Sequence, residues 1–409
     1  MAISNNGSNT IVRYLPMRVA AVVGTRPEAI KMAPVIHELR KSPDLFDVIV
    51  IATAQHRQML DQALSLFEII PNHDLNLMYP GQSLSLLTSR VIDHMDLALS
   101  KITPDMVLVQ GDTTTVFAAS LAAYYRKIPV AHVEAGLRSY DMLNPFPEEG
   151  MRRLTTILAE INFAPTRLSK AMLLDEGIHE DKIVVTGNTV VDALNYVLKK
   201  PFSCVGTPLE DIDFDNFRCI LVTCHRRETI GRDLEEICLA LHDIIDGFPD
   251  VRIIYPVHLN PEVQRTVMSM LSGIDRVHLI PPLDYLTFIN LMKRVHLILT
   301  DSGGLQEEAP TLHKPLLVLR RVTERPEAFK AGLSKVIGTA RETIVHETAS
   351  LLNDTESFVE ATHGNNPYGD GKASLRIAQA LNRWSHGKLP LLDSDAEFVY
   401  SAGDKINEH

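Results

Sequence analysis

The sequence predicts an α/β protein built from two doubly wound parallel-sheet domains, and three observations predict it. Short β-rich runs alternate with amphipathic helical patterns almost from end to end, the mark of βαβ units. The strand candidates are nearly continuous in apolar residues, as strands buried on both faces should be. They fall into two sets, separated by the aperiodic Pro-, Asp- and Gly-bearing stretch Lys199 to Phe217, where a domain junction belongs.

In the first set the strand candidates are Arg18 to Val23, Val48 to Ala52, Met106 to Gln110, Val130 to Val133 and Lys182 to Thr186. In the second they are Cys219 to Val222, Arg252 to Pro256, Val277 to Ile280, His296 to Thr300 and Leu316 to Leu319. The expected domains are therefore 17–198 and 199–366. Residues 1–16 are rich in Asn and Ser without the apolar centre of a secretory signal, and they read as a disordered extension. Beyond Trp384 the chain turns polar, so 385–409 is expected to be a loose tail.

Composition narrows the function. With 45% hydrophobic and 22% charged residues among 409, the chain has an ordinary globular make-up. No apolar run reaches the ~18 residues that span a bilayer, which argues for a cytoplasmic protein and against a membrane partner. A net charge of -11 argues against nucleic acid, whose phosphates need a basic face. Four scattered cysteines form neither a disulfide framework nor the paired spacing of a zinc site, so no metal is expected. Basic groups such as His225-Arg226-Arg227 and Arg320-Arg321 nevertheless suit a small polyanion, with a nucleotide the obvious candidate.

In open parallel sheets, ligands sit beyond the carboxyl ends of the strands. The first strand runs into Gly24-Thr25-Arg26-Pro27-Glu28-Ala29-Ile30-Lys31, where Arg26 and Lys31 oppose the helix dipole unless an anion is bound between. A single glycine there is not the GxGxxG dinucleotide fingerprint, so no nicotinamide cofactor is expected. Asp112 and Glu134 follow neighbouring strands, and Glu148 and Glu149 come shortly after. Asp112 could serve as a helix cap and Glu134 as a partner of Arg138, but together they resemble acid/base machinery. His225 follows a strand in the second half beside Arg226 and Arg227. The stretch Asp301-Ser302-Gly303-Gly304-Leu305-Gln306-Glu307-Glu308 opens a helix after another strand. Its glycines let backbone N–H groups approach a diphosphate, and Glu308, one turn beyond Gly304, can receive ribose hydroxyls. The alternative is that Asp301 or Ser302 merely caps the helix. Arg325 close downstream favours the nucleotide.

The ordered motifs GTRPEAIKMAP, TAQHRQMLDQ, GDTTT, HVEAGLR, PFPEE, TGNTVVDAL, YPVHLNP, DSGGLQEEAP, TERPEA and NPYGDG resemble the bacterial non-hydrolysing UDP-N-acetylglucosamine 2-epimerases from about Met17 to about Trp384. The resemblance implies a GT-B fold: two Rossmann-like domains, the active site in the cleft between them, and a last helix (367–384) packed back on the first domain. It further implies a homodimer. Substrate-binding positions match Arg26, Lys31, Asp112, Glu134, His225, Phe288, Ser302, Gly303, Gly304, Glu308 and Arg325. A second UDP-N-acetylglucosamine, acting as activator, is implied at Gln55, Gln58, Gln82, Glu148, Arg226 and His258. Some members carry an arginine where this chain has Gly81, and some carry a polar residue near the uracil where it has Leu283.

The implied activity is reversible inversion at C2 of UDP-N-acetylglucosamine, giving UDP-N-acetylmannosamine for surface polysaccharide synthesis. The route is anti elimination of UDP to 2-acetamidoglucal followed by readdition. It needs a base on one sugar face, an acid on the other and a clamp on the departing diphosphate. Asp112, Glu134, Glu148 and His225 are the candidate proton carriers. A hydrolysing epimerase, an epimerase of a related UDP-diacetamido sugar, a glycosyltransferase of the same fold and a catalytically silent UDP-sugar sensor are the alternatives.

Overall fold

The computed structural model describes residues 15–53, 57–77 and 81–401. Strands β1 (Met17–Val23), β2 (Phe46–Ala52), β3 (His73–Asp74), β4 (Met106–Gln110), β5 (Val130–Val133), β6 (Ile161–Ala164) and β7 (Ile183–Val185) form one sheet in the order β3-β2-β1-β4-β5-β6-β7. Strands β8 (Arg218–Thr223), β9 (Val251–Pro256), β10 (Val277–Ile280), β11 (Leu297–Thr300), β12 (Leu316–Val318) and β13 (Lys335–Val336) form the other, in the order β10-β9-β8-β11-β12-β13. Neighbouring strands pair in parallel. This is the two-domain parallel α/β architecture that the sequence predicts. Each sheet reverses its winding once, between β1 and β4 and between β8 and β11, and such a switch opens a ligand crevice at the carboxyl ends.

Period-two burial explains why these runs are strands. In β1, Val19, Ala21 and Val23 enter one core cluster while Ala20 and Val22 enter another on the opposite face. In β8, Cys219 and Leu221 face the first of these clusters, and Ile220 and Val222 face a third. Helix Thr189–Val197 joins the halves, touching both Tyr285–Arg294 and Gly303–Glu308 across the junction. The two sets of strand ends are thereby held facing one another.

Three strands escape the sequence reading. β3 and β13 are two-residue edges, and β6 is four residues whose buried Asn162 breaks the apolar run. The last helix is Ala373–Ser385, beginning after 367–372 rather than at 367. It buries Ile377, Ala380 and Leu381 against helices Arg26–Arg40 and Thr189–Val197. Its first turn is capped by Asp192, which accepts from Ser374 N–H at 2.9 Å.

The expected loose tail is corrected as far as Ser401. Leu391, Leu392 and Phe398 are buried, Phe398 N–H reaches Val185 O at 2.9 Å, and Arg383 holds Asp393 at 2.6 Å. Polar composition hid these three apolar anchors. Residues 1–14 of the expected extension and 402–409 lie outside the described residues. Among the described residues no helix is long and apolar enough to cross a membrane.

Candidate active site

The turn after β1 is tight. A Cβ on Gly24 would stand 2.5 Å from Thr53 Oγ1. Thr25 then caps helix Arg26–Arg40, and its side chain accepts from Glu28 N–H. Glu28 folds back to accept from Gly24 N–H at 2.7 Å and from the hydroxyls of Thr25 at 2.9 Å and Thr113 at 2.8 Å. It thus ties the end of β1 to the end of β4. Burial pushes its carboxyl up to about 7 against these hydrogen bonds. Thr113, not Asp112, caps the next helix, which leaves the Asp112 side chain for the cleft.

Lys31 is buried one turn into the helix and binds carboxylates from both domains, Glu134 and, at 2.9 Å, Glu307. Burial pulls the ammonium down, but the two carboxylates outweigh it and hold it above its ordinary range. Glu134 also accepts from Gln110 Nε2 and from Asn188 Nδ2 at 3.1 Å. Its backbone is left-handed, φ 64°, a conformation that costs a non-glycine residue about 1–3 kcal/mol. The following Gly136 also has positive φ and abuts Ser169, so the chain turns sharply and aims Glu134 back over the strand ends. Burial, reinforced by Glu307, raises the Glu134 carboxyl even though Lys31 opposes the shift. The alternative pairing of Glu134 with Arg138 does not occur, because Arg138 binds Glu176 at 2.7 Å. Asp112 pairs instead with Arg152, which also holds Glu149 at 3.2 Å.

From the second domain, β11 delivers Ser302 and helix Gly303–Glu308. A Cβ on Gly303 would stand 2.5 Å from Arg325 Nη1; only glycine lets the guanidinium lie over this turn. Arg325 Nε donates to Glu307 at 2.6 Å. Despite its burial Glu307 is held below the usual carboxylate range by Lys31 and Arg325. Tyr285 donates to Glu308 Oε1 at 2.7 Å, and burial pushes Glu308 up to about 7.

A cavity of about 350 Å³ joins these groups, lined among others by Arg26, Lys31, Asp112, Glu134, Phe288, Ser302, Gly304, Glu308 and Arg325. Gly303 supports Arg325 at its wall. Arg26 reaches across the cleft to the carbonyl of Leu283 at 3.5 Å. A second cavity of about 840 Å³ adjoins it, sharing Asp112, Arg152 and Arg325, and takes in Glu148, His225 and Arg226. His258 stacks on His225 with ring centroids 5.3 Å apart. Gln58 is exposed on helix Arg57–Leu66, and neither it nor Gln82 lines either cavity. Gln55 lies outside the described residues. Among the described residues no three His, Cys, Asp or Glu side chains converge as a metal would require.

Asp301 does not cap the helix it precedes. Ser302 occupies that position without a side-chain cap bond, and Asp301 Oδ2 instead accepts from the backbone N–H groups of His225 and Arg226, both at 2.8 Å. Sequence reasoning also missed Arg152, Tyr285 and Glu307. Arg152 carried one local signal, a position three residues after Glu149 on a helix, while Tyr285 and Glu307 carried none that spacing reveals.

Residues 37–382 match the profile of the family described as UDP-N-acetylglucosamine 2-epimerase. The chain belongs to this family. It is 50% identical to the UDP-N-acetylglucosamine 2-epimerase of Escherichia coli over 371 residues, 89% of this chain and 98% of that one. The Neisseria meningitidis UDP-GlcNAc 2-epimerase, solved bound to UDP-GlcNAc, superposes with TM-score 0.84 at 49% identity over 89% of this chain and 99% of that one. A Staphylococcus aureus structure with UDP gives TM-score 0.84 at 45% identity over 90% and 97%. The match extends over both domains.

Proposed function

We propose that the protein interconverts UDP-N-acetylglucosamine and UDP-N-acetylmannosamine in the cytoplasm without hydrolysing the nucleotide, as a precursor supply for surface polysaccharide. The observation that carries this reading is one cavity lined by acid/base groups of the first domain, Asp112 and Glu134, and by cationic groups from both, Arg26, Lys31 and Arg325. The C2 proton of a hexosamine is not acidic while the C1–O bond is intact. As that bond breaks, electron density leaves with UDP and positive charge at C1 acidifies C2–H. A base removes the proton anti to the leaving group, giving 2-acetamidoglucal and UDP. Readdition of UDP at C1 with protonation of C2 on the other face yields the manno epimer.

Arg26, Arg325 and the Ser302–Gly304 turn stabilise the departing diphosphate, and Glu308 receives the ribose hydroxyls. Asp112, Glu134, Glu148 and His225 carry protons. The adjoining cavity, with Glu148 and Arg226 on its wall and His258 behind His225, is the place for an activating second nucleotide sugar. The test uses UDP-N-acetylglucosamine alone in deuterium oxide with EDTA and no added nicotinamide, followed by proton NMR. Both UDP-linked epimers should appear with deuterium at C2, and Glu134→Gln should slow incorporation by roughly 10²–10⁴ while UDP still binds. Release of free N-acetylmannosamine would favour the hydrolysing alternative, a requirement for an acceptor would favour a glycosyltransferase, and complete retention of the original hydrogen would sink the elimination scheme.

A homodimer is proposed with it. Tyr124, Tyr125, Leu154 and Ile157 are exposed on the adjacent helices Thr114–Tyr125 and Glu148–Leu158, an apolar face of the kind that marks an interface. Sedimentation should give twice the chain mass, and Tyr125→Glu with Ile157→Glu should give the monomer; a wild-type monomer would refute this.

A further inference from the structure

Asp301 is fully buried at the end of β11, facing the end of β8. Its Oδ2 accepts three hydrogen bonds, from His225 N–H and Arg226 N–H at 2.8 Å and from the Thr229 hydroxyl at 3.1 Å. Three donors on one oxygen fix the carboxylate's rotation. Its other oxygen, Oδ1, has no hydrogen-bond partner of its own and lies 3.4 Å from Nδ1 of His225. An ionised carboxylate is acceptor-only, so a ring nitrogen held against it is the one that carries the proton.

We infer that Asp301 is a positioning residue that holds His225 in the tautomer protonated at Nδ1, leaving the Nε2 lone pair for the cleft. The inference rests on the reading of His225 as a proton carrier and sharpens it, because a ring in this state takes a proton before it can give one. His225 is thereby the base of its step: it accepts a proton at Nε2, and the buried charge of Asp301 stabilises the imidazolium that forms. The surroundings of the ring agree with a neutral starting state. Burial lowers its affinity for a second proton, as do His258 and Arg226, while Asp301 and Glu228 oppose them, and the net direction is down.

The test is the tautomer itself, read on the full-length ¹⁵N-labelled protein by long-range ¹H–¹⁵N correlation, with the His225 signals assigned by their loss in His225→Gln. The unsubstituted protein should show Nδ1–H. Asp301→Asn must keep its amide oxygen toward the backbone N–H groups, so its NH₂ faces the ring and should force the Nε2–H tautomer. Its kcat should fall roughly 10²–10⁴-fold with KM within about threefold. In a His225→Gln background the same substitution should cost less than about threefold, since it acts through the ring it no longer has.

Finding Nε2–H in the unsubstituted protein overturns the inference, and that measurement decides it even if Asp301→Asn does not fold. An Asp301→Asn protein that keeps Nδ1–H overturns it as well. Full turnover by His225→Gln would overturn the catalytic part and with it the reading of His225 as a proton carrier; the tautomer would then still report whether Asp301 positions the ring.

Discussion

Lys31 is one cation shared by two buried carboxylates from opposite domains, Glu134 and Glu307. A buried charge left without its partner is costly, so this triad stands or falls together. Arg325 completes it by neutralising Glu307, which leaves Glu134 the one acid of the set whose proton affinity is raised. Glu308 is a different case, because burial, with Glu307 beside it, brings it to about 7 against the Tyr285 hydroxyl and the charges of Lys31 and Arg26. Ribose hydroxyls are donors and bind its ionised form better, so UDP affinity should rise with pH through that value. Between pH 6 and 8 the wild type should gain about tenfold over Glu308→Gln, and the comparison cancels titration of the phosphate itself. A pH dependence identical in the two proteins, measured by calorimetry, would exclude Glu308 from the ribose site. The sign for folding is the reverse. A carboxyl raised in the native state contributes stability that is fully present below its ordinary unfolded value and is lost as pH rises through about 7.

At the scale of single elements, the strand ends and the turns that follow them do most to place chemistry. Left-handed Glu134 after β5 and the Gly24 turn after β1 both aim side chains where a regular helix or strand would not. Gly303 acts through the space it leaves open. Its missing Cβ leaves room for Arg325, so Gly303→Ala should push the guanidinium off the diphosphate position. Losing one charge-assisted hydrogen bond costs about 1.5–3 kcal/mol. UDP should therefore bind roughly 10–100-fold more weakly, with the melting temperature little changed. Unaltered affinity would mean that Arg325 does not contact the nucleotide. The turn residues were legible because Gly, Thr and Asp after an apolar run announce themselves. The strand β6 was not, since the buried Asn162 interrupts the apolar run of Ile161–Ala164.

For the whole molecule, the segment beyond the last helix belongs to the first domain's structure. Truncation after Ser385 removes Leu391, Leu392 and Phe398 from their buried places. Each is worth about 1.5–3 kcal/mol in buried area, much of it offset by the ordering of the segment. A net loss of about 2 kcal/mol should lower the melting midpoint by roughly 4–8 °C, and calorimetry with no shift would show that the segment is merely laid on the surface.

Sheet membership, strand ends and most of the cleft-lining residues could be read from the chain, because burial on both faces writes itself as apolar continuity and because ligand-binding turns need particular residue types. Asp112, Glu134, Ser302, Glu308 and Arg325 were legible for that reason, each just beyond a strand or a turn. Partnerships were not. Whether Glu134 would meet Arg138 or Lys31, whether Asp301 would cap its own helix or hold the loop of His225, and whether residues past Trp384 would pack all depend on distances between segments far apart in the chain. Local propensity carries no term for those distances. They are set by the parallel crossovers and by the core that the two domains share around helix Thr189–Val197, which bring Lys31 and Glu307 to 2.9 Å although they stand 276 positions apart in the chain.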